Sequence, residues 1–466
     1  MPRRLVDVAV IGAGTAGLAA YDTAVALTPR VVLVEGGPRG TLCARAGCMP
    51  SKLLLAAANA AHDARHADRF GIDGSVRVDG RRVMDRVHRE RDRFVDRVVT
   101  GMARIPAEDL ILGSARFTAP GVLDVDGTAI EARAVVIAVG AVPVLPSMFA
   151  SLGDRLVVSD DVFTWTTLPE SVAVFGTGAL GLEIGQALHR LGVRVRVFGR
   201  DGTIGPLTDP VVRAAAEAAF RSEMAFDPDA AVHGVRRDEM GVVVDFEDDA
   251  GRACVEHFAL ALVATGRHPN LAELGLENAG VQLDSKGAPT VDRVTMQCEN
   301  APVFMAGDVS DDIPVEHEAI DEGRIAGENA ARYPNVQPRP RRSPLRITFC
   351  DPQLAVVGPS FAELSRRAEL AVGEVSFEDQ GRSRITGNNR GVGHLYADRV
   401  SGRFLGAELA GPRAEHLAHL LAWAHQLELT IDQMLALPIY HPVVEEGLRT
   451  ALHDARTKMK PKGAGR

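Results

Sequence analysis

Residues 8–17 read V-A-V-I-G-A-G-T-A-G and residues 172–181 read V-A-V-F-G-T-G-A-L-G, so one glycine pattern occurs twice, 164 positions apart. In each copy a short apolar strand runs into three glycines at G-x-G-x-x-G spacing: Gly12, Gly14 and Gly17, then Gly176, Gly178 and Gly181. The first glycine permits a tight turn, the second lets a pyrophosphate approach the backbone, and the third lets the following helix pack closely. The helix N-terminus then faces the phosphates. The first copy continues into residues 31–35, V-V-L-V-E, a strand ending in Glu35, which can accept a ribose hydroxyl. The second continues into residues 195–198, V-R-V-F, but the place of Glu35 is taken by Gly199, followed by Arg200. An arginine there can pair with a 2′-phosphate; it is equally read as a solvated loop residue. The expected fold is α/β with two Rossmann-like domains, and the chain is expected to hold two dinucleotides.

Residues 40–55, G-T-L-C-A-R-A-G-C-M-P-S-K-L-L-L, set Cys43 and Cys48 ahead of an Ala/Leu-rich helix. Pro50 fits the first helical position, where its missing N–H costs nothing. A thiolate at a helix N-terminus gains from the macrodipole and the unpaired N–H groups, which lowers its pKa, and Lys52 adds positive charge. A disulfide between cysteines so close constrains almost no chain, so the pair is a poor staple and reads better as a redox couple. No second Cys/His pair stands at zinc spacing, so no metal site is expected.

With these motifs in order, the chain resembles the pyridine nucleotide–disulfide oxidoreductases over about residues 5–455, with C-x4-C followed by P-S-K as the most specific mark. The resemblance, closest to the dihydrolipoyl dehydrogenases, implies FAD in the first fold and NAD(P) in the second. It implies that Cys43 exchanges with substrate, that Cys48 lies against the flavin, and that Lys52 and Glu183 form an ion pair beside the reactive flavin nitrogen. The strand of residues 135–143 with Gly140, and the A-G-D of residues 306–308 with Gly307 and Asp308, resemble further flavin motifs; Asp308 would bind the ribityl chain. His317 and the pair Glu322-Gly323 follow, as in that family's helix under the flavin. Residues 264–270, with Gly266, resemble the close of the nicotinamide domain. Residues 439–446, I-Y-H-P-V-V-E-E, resemble the family's H-P-T-x-x-E. There His441 would be the acid/base for substrate thiols, oriented by Glu446 and supplied by the partner subunit of a homodimer. Val443 replaces the usual threonine, and Tyr440 precedes the histidine.

A length of 466 residues allows three or four domains with ample core. The expected division is a flavin domain over 1–150, a nicotinamide domain over 151–270, a return to the flavin region over 271–336, a linker over 337–344, and an α+β dimerisation domain over 345–466. An arginine-rich amphipathic helix is expected near 80–104, its charges a solvated face. A net charge of −9 argues against nucleic-acid or anionic-membrane partners, and no apolar run approaches a spanning helix. Arg3-Arg4 runs straight into the first strand without a signal h-region. Five cysteines, three of them scattered, suit a reducing compartment. The cytoplasm is the expected location.

The expected activity is dithiol–disulfide exchange through Cys43 and Cys48, with a small dithiol or a lipoyl-bearing protein as partner. The nearest rival is an NADPH-dependent disulfide reductase. Arg200 and the Glu445-Glu446 pair favour it, and Pro206, where a second arginine is usual, opposes it. The tail over 458–466 lacks the terminal cysteine pair of a mercuric reductase. A flavin oxidase or transhydrogenase would not need these thiols with a C-terminal His-Glu, and a non-catalytic redox-sensing module would tolerate the loss of either.

Overall fold

The computed structural model describes residues 3–459 apart from Asp249 and Ala368, which leaves most of the cysteine-free tail outside it. The chain opens on β1 (Arg3–Ile11), turns at the glycines into α1 (Thr15–Val25), and returns as β2 (Val31–Glu35), parallel to β1 with Val8 opposite Val31. Then come α2 (Leu42–Arg45), α3 (Cys48–Arg65) and α4 (Gly80–Met102), the last being the arginine-rich helix. β3 (Leu110–Leu112) joins β2, and β4 (Ala115–Ala119), β5 (Val122–Val125) and β6 (Thr128–Ile137) form an antiparallel meander that brings β6 parallel to β1. β7 (Ala141–Pro143) follows.

The second glycine fingerprint repeats this opening. β8 (Leu156–Val158), β9 (Ser171–Phe175), α5 (Ala179–Arg190), β10 (Arg194–Phe198), α6 (Pro210–Glu223) and β11 (Ala225–Asp227) precede an antiparallel ribbon. That ribbon is β12 (Ala231–Arg237), β13 (Val242–Glu247) and β14 (Ala253–Phe258), and β15 (Leu260–Val263) completes a parallel sheet of order β11-β10-β9-β15-β8. β16 (Arg267–Pro269) pairs with β7, β17 (Val303–Met305) pairs with β6, and α7 (Glu316–Arg332) follows.

The last stretch folds into an antiparallel sheet of order β18-β19-β22-β21-β20. Its members are β18 (Leu345–Thr348), β19 (Gln353–Val357), α8 (Phe361–Leu364), β20 (Leu370–Ser376), α9 (Gly381–Thr386), β21 (Val392–Asp398), β22 (Phe404–Gly411), α10 (Ala414–Gln426), α11 (Ile431–Leu435) and α12 (Glu446–Thr457).

Two compact units result. One comprises the chain up to Pro50, His88–Val144 and Arg267–Arg341; the other comprises Ser51–Val87, Leu145–Gly266 and the chain from Arg342. In the first, Val8, Val10, Leu33 and Val136 face a core shared with α1 and α7, while Ala9, Ile11, Val32 and Val135 face a second core. Strands buried on both faces must be continuously apolar, which is why residues 8–11 of β1 and 31–34 of β2 read as apolar runs. In the second unit, Val242, Val244 and Phe246 of β13 pack with Phe175, Phe198 and Val263 of the parallel sheet. The glycine turns therefore fall at the carboxyl ends of parallel strands, where ligands of open α/β sheets bind.

Candidate active site

The thiol pair sits at two helix starts. Cys43 is the second residue of α2, whose first turn is capped by the Thr41 hydroxyl accepting from Ala44 N at 3.3 Å. Cys48 is the first residue of α3, so Pro50 is the third and not the first. It still lies in the first turn, where no intrahelical N–H bond is required. A Cβ on Gly47 would stand 3.0 Å from Cys43 Cα and 3.1 Å from Leu42 O, so glycine lets the chain fold back on itself between the thiols. The two side chains are hydrogen-bonded thiols. The expected depression of thiol pKa is not met at Cys43. Its hydrogen bond to Cys48 pushes it up, with burial and the charges of Cys48 and Glu316 adding to the shift. Lys52 stands one turn after Cys48 on α3, four residues on and hence on one helix face.

In the other unit, Lys52 Nζ donates to Glu183 Oε2 at 2.7 Å. The Glu183 side chain is 3 % exposed, and its second oxygen accepts from Phe349 N at 2.9 Å. The Phe349 ring lies 4.6 Å below the ammonium. Phe349 escapes a reading of the sequence because its bond to Glu183 is made by a backbone N–H, which any residue but proline carries. In the same unit His441 Nδ1 lies 2.9 Å from Glu446 Oε1 and 3.1 Å from Oε2, and Val443 N donates to Glu446 Oε2 at 3.2 Å. These contacts, His441 first, hold the Glu446 carboxyl below its ordinary range. An Nδ1–H donated to glutamate leaves Nε2 as the basic nitrogen, on a side chain 81 % exposed. Val443, the departure from threonine, thus serves this pair through its backbone.

The first glycine turn is close-packed. A Cβ on Gly12 (φ +99°) would stand 2.5 Å from Ala138 O, and one on Gly17 would stand 1.8 Å from Gly12 O. Gly14 N-caps α1 with no side chain on its first N–H groups. Glu35 closes β2 with Oε2 accepting from Ala13 N at 2.7 Å and Oε1 from Gly37 N at 2.6 Å, so its carboxylate is held at the turn. Gly140 (φ +68°) has open space where a side chain would be, and Gly307 (φ +82°) leads into Asp308. Burial pushes the Asp308 carboxyl up, opposed by the charge of Arg267. Unclaimed N–H groups at α1, an acid at the end of β2 and the half-buried Asp308 carboxylate after β17 fit the phosphates and hydroxyls of FAD.

The second turn is built alike. Cβ atoms on Gly176 (φ +118°) and Gly181 would stand 2.3 Å from Ala264 O and 2.0 Å from Gly176 O, while Gly178 and Gly266 have open space. Gly178 N-caps α5 without a side-chain partner, which suits a second pyrophosphate. Gly199 is closed to any side chain, because a Cβ would stand 2.4 Å from Pro228 O. The Arg200 side chain is 89 % exposed and pairs with Asp201 at 3.1 Å. Asp201 N in turn donates to Asp229 Oδ1 at 2.9 Å.

Two nucleotide turns and a thiol couple in one chain define a class, the flavin- and nicotinamide-dependent disulfide oxidoreductases. Residues 6–323 match the family described as pyridine nucleotide-disulphide oxidoreductase, and residues 345–452 match that family's dimerisation domain. The chain is similar to the dihydrolipoyl dehydrogenase of Thermus scotoductus, at 30 % identity over 96 % of each chain. It is also similar to that of Halobacterium salinarum, at 29 % identity over 96 % of each. Among solved structures, LpdA of Mycobacterium tuberculosis superposes with a TM-score of 0.82 at 24 % identity, covering 99 % of this chain and 100 % of that one. The HOCl-induced flavoprotein disulfide reductase RclA of Escherichia coli gives 0.81 at 22 %, covering 96 % and 99 %. At those identities the two structures speak to the fold alone. The chain belongs to the pyridine nucleotide–disulphide oxidoreductases, enzymes that use FAD and NAD(P). Among the described residues no helix is long and apolar enough to cross a membrane.

Proposed function

We propose that this enzyme is a dihydrolipoyl dehydrogenase, oxidising a dithiol such as dihydrolipoamide, free or carried on a lipoyl-bearing protein, with NAD(P)+ as final acceptor. The observation that carries the reading is the Cys43–Cys48 pair, hydrogen-bonded across Gly47 at two helix starts. In the oxidised enzyme the pair is a disulfide. A substrate thiolate attacks the Cys43 sulfur, the Cys43–Cys48 bond breaks, and Cys48 leaves as a thiolate. The second substrate thiol then closes on the first, breaking the mixed disulfide and releasing Cys43. Two electrons and two protons leave the substrate. Exchange is fastest when the attacking sulfur is a thiolate and the leaving one is stabilised, so a base at the entrance and a helix terminus at Cys48 both serve it.

His441 of the partner subunit is the base. Its Nε2 takes the substrate proton, while Glu446 fixes the tautomer and steadies the imidazolium. FAD, once bound, supplies a two-electron relay between the thiol pair and the nicotinamide. In this reading Gly12, Gly14, Gly17, Glu35, Gly140, Gly307 and Asp308 bind FAD, Gly176, Gly178, Gly181, Arg200 and Gly266 bind NAD(P), and Lys52 and Glu183 hold a fixed charge pair beside the flavin. The domain limits expected above, a homodimer and a cytoplasmic location belong to the same proposal.

The rival is a disulfide reductase running on NADPH, favoured by one observation: Gly199 has no room for the acid that would take a ribose hydroxyl, and Arg200 beside it is exposed. The experiment is steady-state oxidation of dihydrolipoamide with NAD+ and with NADP+, beside Cys48→Ser. Turnover that disappears in Cys48→Ser supports the dehydrogenase, and the faster nucleotide sets the role of Arg200. No turnover with either nucleotide, while NADPH still reduces the flavin, would favour the rival.

A further inference from the structure

α7 lies on α1 at backbone contact. Cβ atoms added to Gly323 and Gly327, four residues apart on one face of α7, would stand 2.2 Å from Ala16 O and 2.3 Å from Ala20 O. Next to Gly323, Glu322 is buried and reaches back to the turn that bears Asp308. Its Oε2 accepts from Gly307 N at 2.8 Å and from Ser310 Oγ at 3.0 Å, gripping both ends of that turn. Its Oε1 accepts from Arg341 Nη2 at 2.9 Å, and the same guanidinium nitrogen donates to the buried Glu318 Oε2 at 2.6 Å. Arg341 comes from the extended chain beyond α7.

This cluster is an expensive way to hold a helix. Burial pushes the Glu322 carboxyl up against the pull of Arg341 and the Gly307 N–H, and Arg341 Nε and Glu318 Oε1 are buried with no hydrogen-bond partner. Buried ion pairs of this kind add little net stability over apolar packing, so the return from them is sought in the geometry they impose. Here that geometry is the position of one turn relative to one helix. We propose that Arg341 is a positioning residue for the flavin: through Glu322 it fixes the Gly307–Ser310 turn so that the Asp308 carboxylate meets the ribityl hydroxyls of FAD. Because α7 is also locked onto α1, the turn for the ribityl chain and the turn for the pyrophosphate are set by one helix. The inference rests on the flavin site of the reading above and is independent of its choice of dithiol.

The test is release of FAD from the purified holoenzyme, followed as the rise in flavin fluorescence after dilution into FAD-free buffer. Loss of a charge-assisted hydrogen bond to a buried carboxylate predicts release about tenfold faster from Arg341→Met. Arg341→Lys, which keeps the charge, restores most of the difference. A merely structural role would lower the Tm of the apoprotein and leave FAD release from the folded enzyme at the wild-type rate. That result overturns the proposal. Should Arg341→Met fail to fold, Glu318→Gln/Arg341→Met returns the cluster to its original net charge, and its release rate decides in the same way. Failure to oxidise dihydrolipoamide would sink the choice of substrate and leave this measurement untouched.

Discussion

Asp209 offers a sharp perturbation in the second unit. It N-caps α6 with Oδ1, accepting from Val211 N at 2.9 Å and Val212 N at 3.3 Å. Its Oδ2 accepts from His394 Nδ1 at 2.6 Å and from the Tyr396 hydroxyl at 2.9 Å, both on β21. The other His394 nitrogen meets Glu374 Oε2 at 2.9 Å. Asp209→Ala removes a cap, worth about 1 kcal/mol. It also leaves a buried imidazole N–H and a buried hydroxyl without an acceptor, each costing about 1–3 kcal/mol. A total of roughly 3 kcal/mol or more lowers Tm by about 5 °C or more in a unit of this size. Asp209→Asn keeps a capping oxygen and loses the charge, so it should fall between the two. Differential scanning calorimetry measures both. A Tm for Asp209→Ala within about 2 °C of wild type would refute the energetic reading of the cluster.

The same cluster has a pH signature. Burial pulls His394 down, but its bonds to Asp209 and Glu374 outweigh it, so the imidazolium is favoured in the folded protein. Stability from a raised histidine is complete below the ordinary pKa of about 6.5 and is lost as pH rises through the folded value. Asp209 is held low despite its burial, so its share is present above about pH 4 and is lost in acid. The gap in Tm between wild type and Asp209→Asn should therefore narrow from pH 6 toward pH 9. Asp454, which feels the charge of His394, faces the same cluster and stays ionised across that range, and the charge of Glu408 acts on Tyr396.

Two further outcomes are expected. Removing the thiol that raises Cys43 lowers its pKa, so iodoacetamide should alkylate Cys43 faster at pH 8 in Cys48→Ser than in the reduced wild type; slower labelling would contradict the assigned direction. Gly181→Ala drives a Cβ to 2.0 Å from Gly176 O and must displace the start of α5, so flavin reduction by a nicotinamide nucleotide should need at least about tenfold more nucleotide, measured by stopped-flow absorbance.

The α/β class and both nucleotide turns are legible in the sequence because their determinants are local. The end of a strand, three glycines and the start of a helix lie within ten residues, and each glycine answers one steric demand. The start of α3 is read less well, since a proline is tolerated anywhere in a first turn and does not say which residue begins it. Pairs far apart in sequence stay hidden. Asp209 and His394 are ordinary letters until α6 and β21 meet, and Arg341 looks like a linker residue until Glu322 lies under it. The Lys52–Glu183 contact spans 131 positions and is expected only through resemblance to a family. The obstruction at Gly199 is invisible in sequence because it is made by a carbonyl oxygen of Pro228.

That carbonyl limits how the enzyme can change. Gly199 N donates to Asp227 O, and Ala230 N donates to Gly199 O, so the residue is bonded on both sides to the segment leading out of β11. Any route, natural or engineered, to an acid at this position must first shift that segment, and a single codon change would produce a misfolded loop before it produced a new nucleotide preference. In the nucleotide site proposed above, adjustment of cofactor choice falls to the neighbouring Arg200, whose exposed side chain can be exchanged without moving that segment.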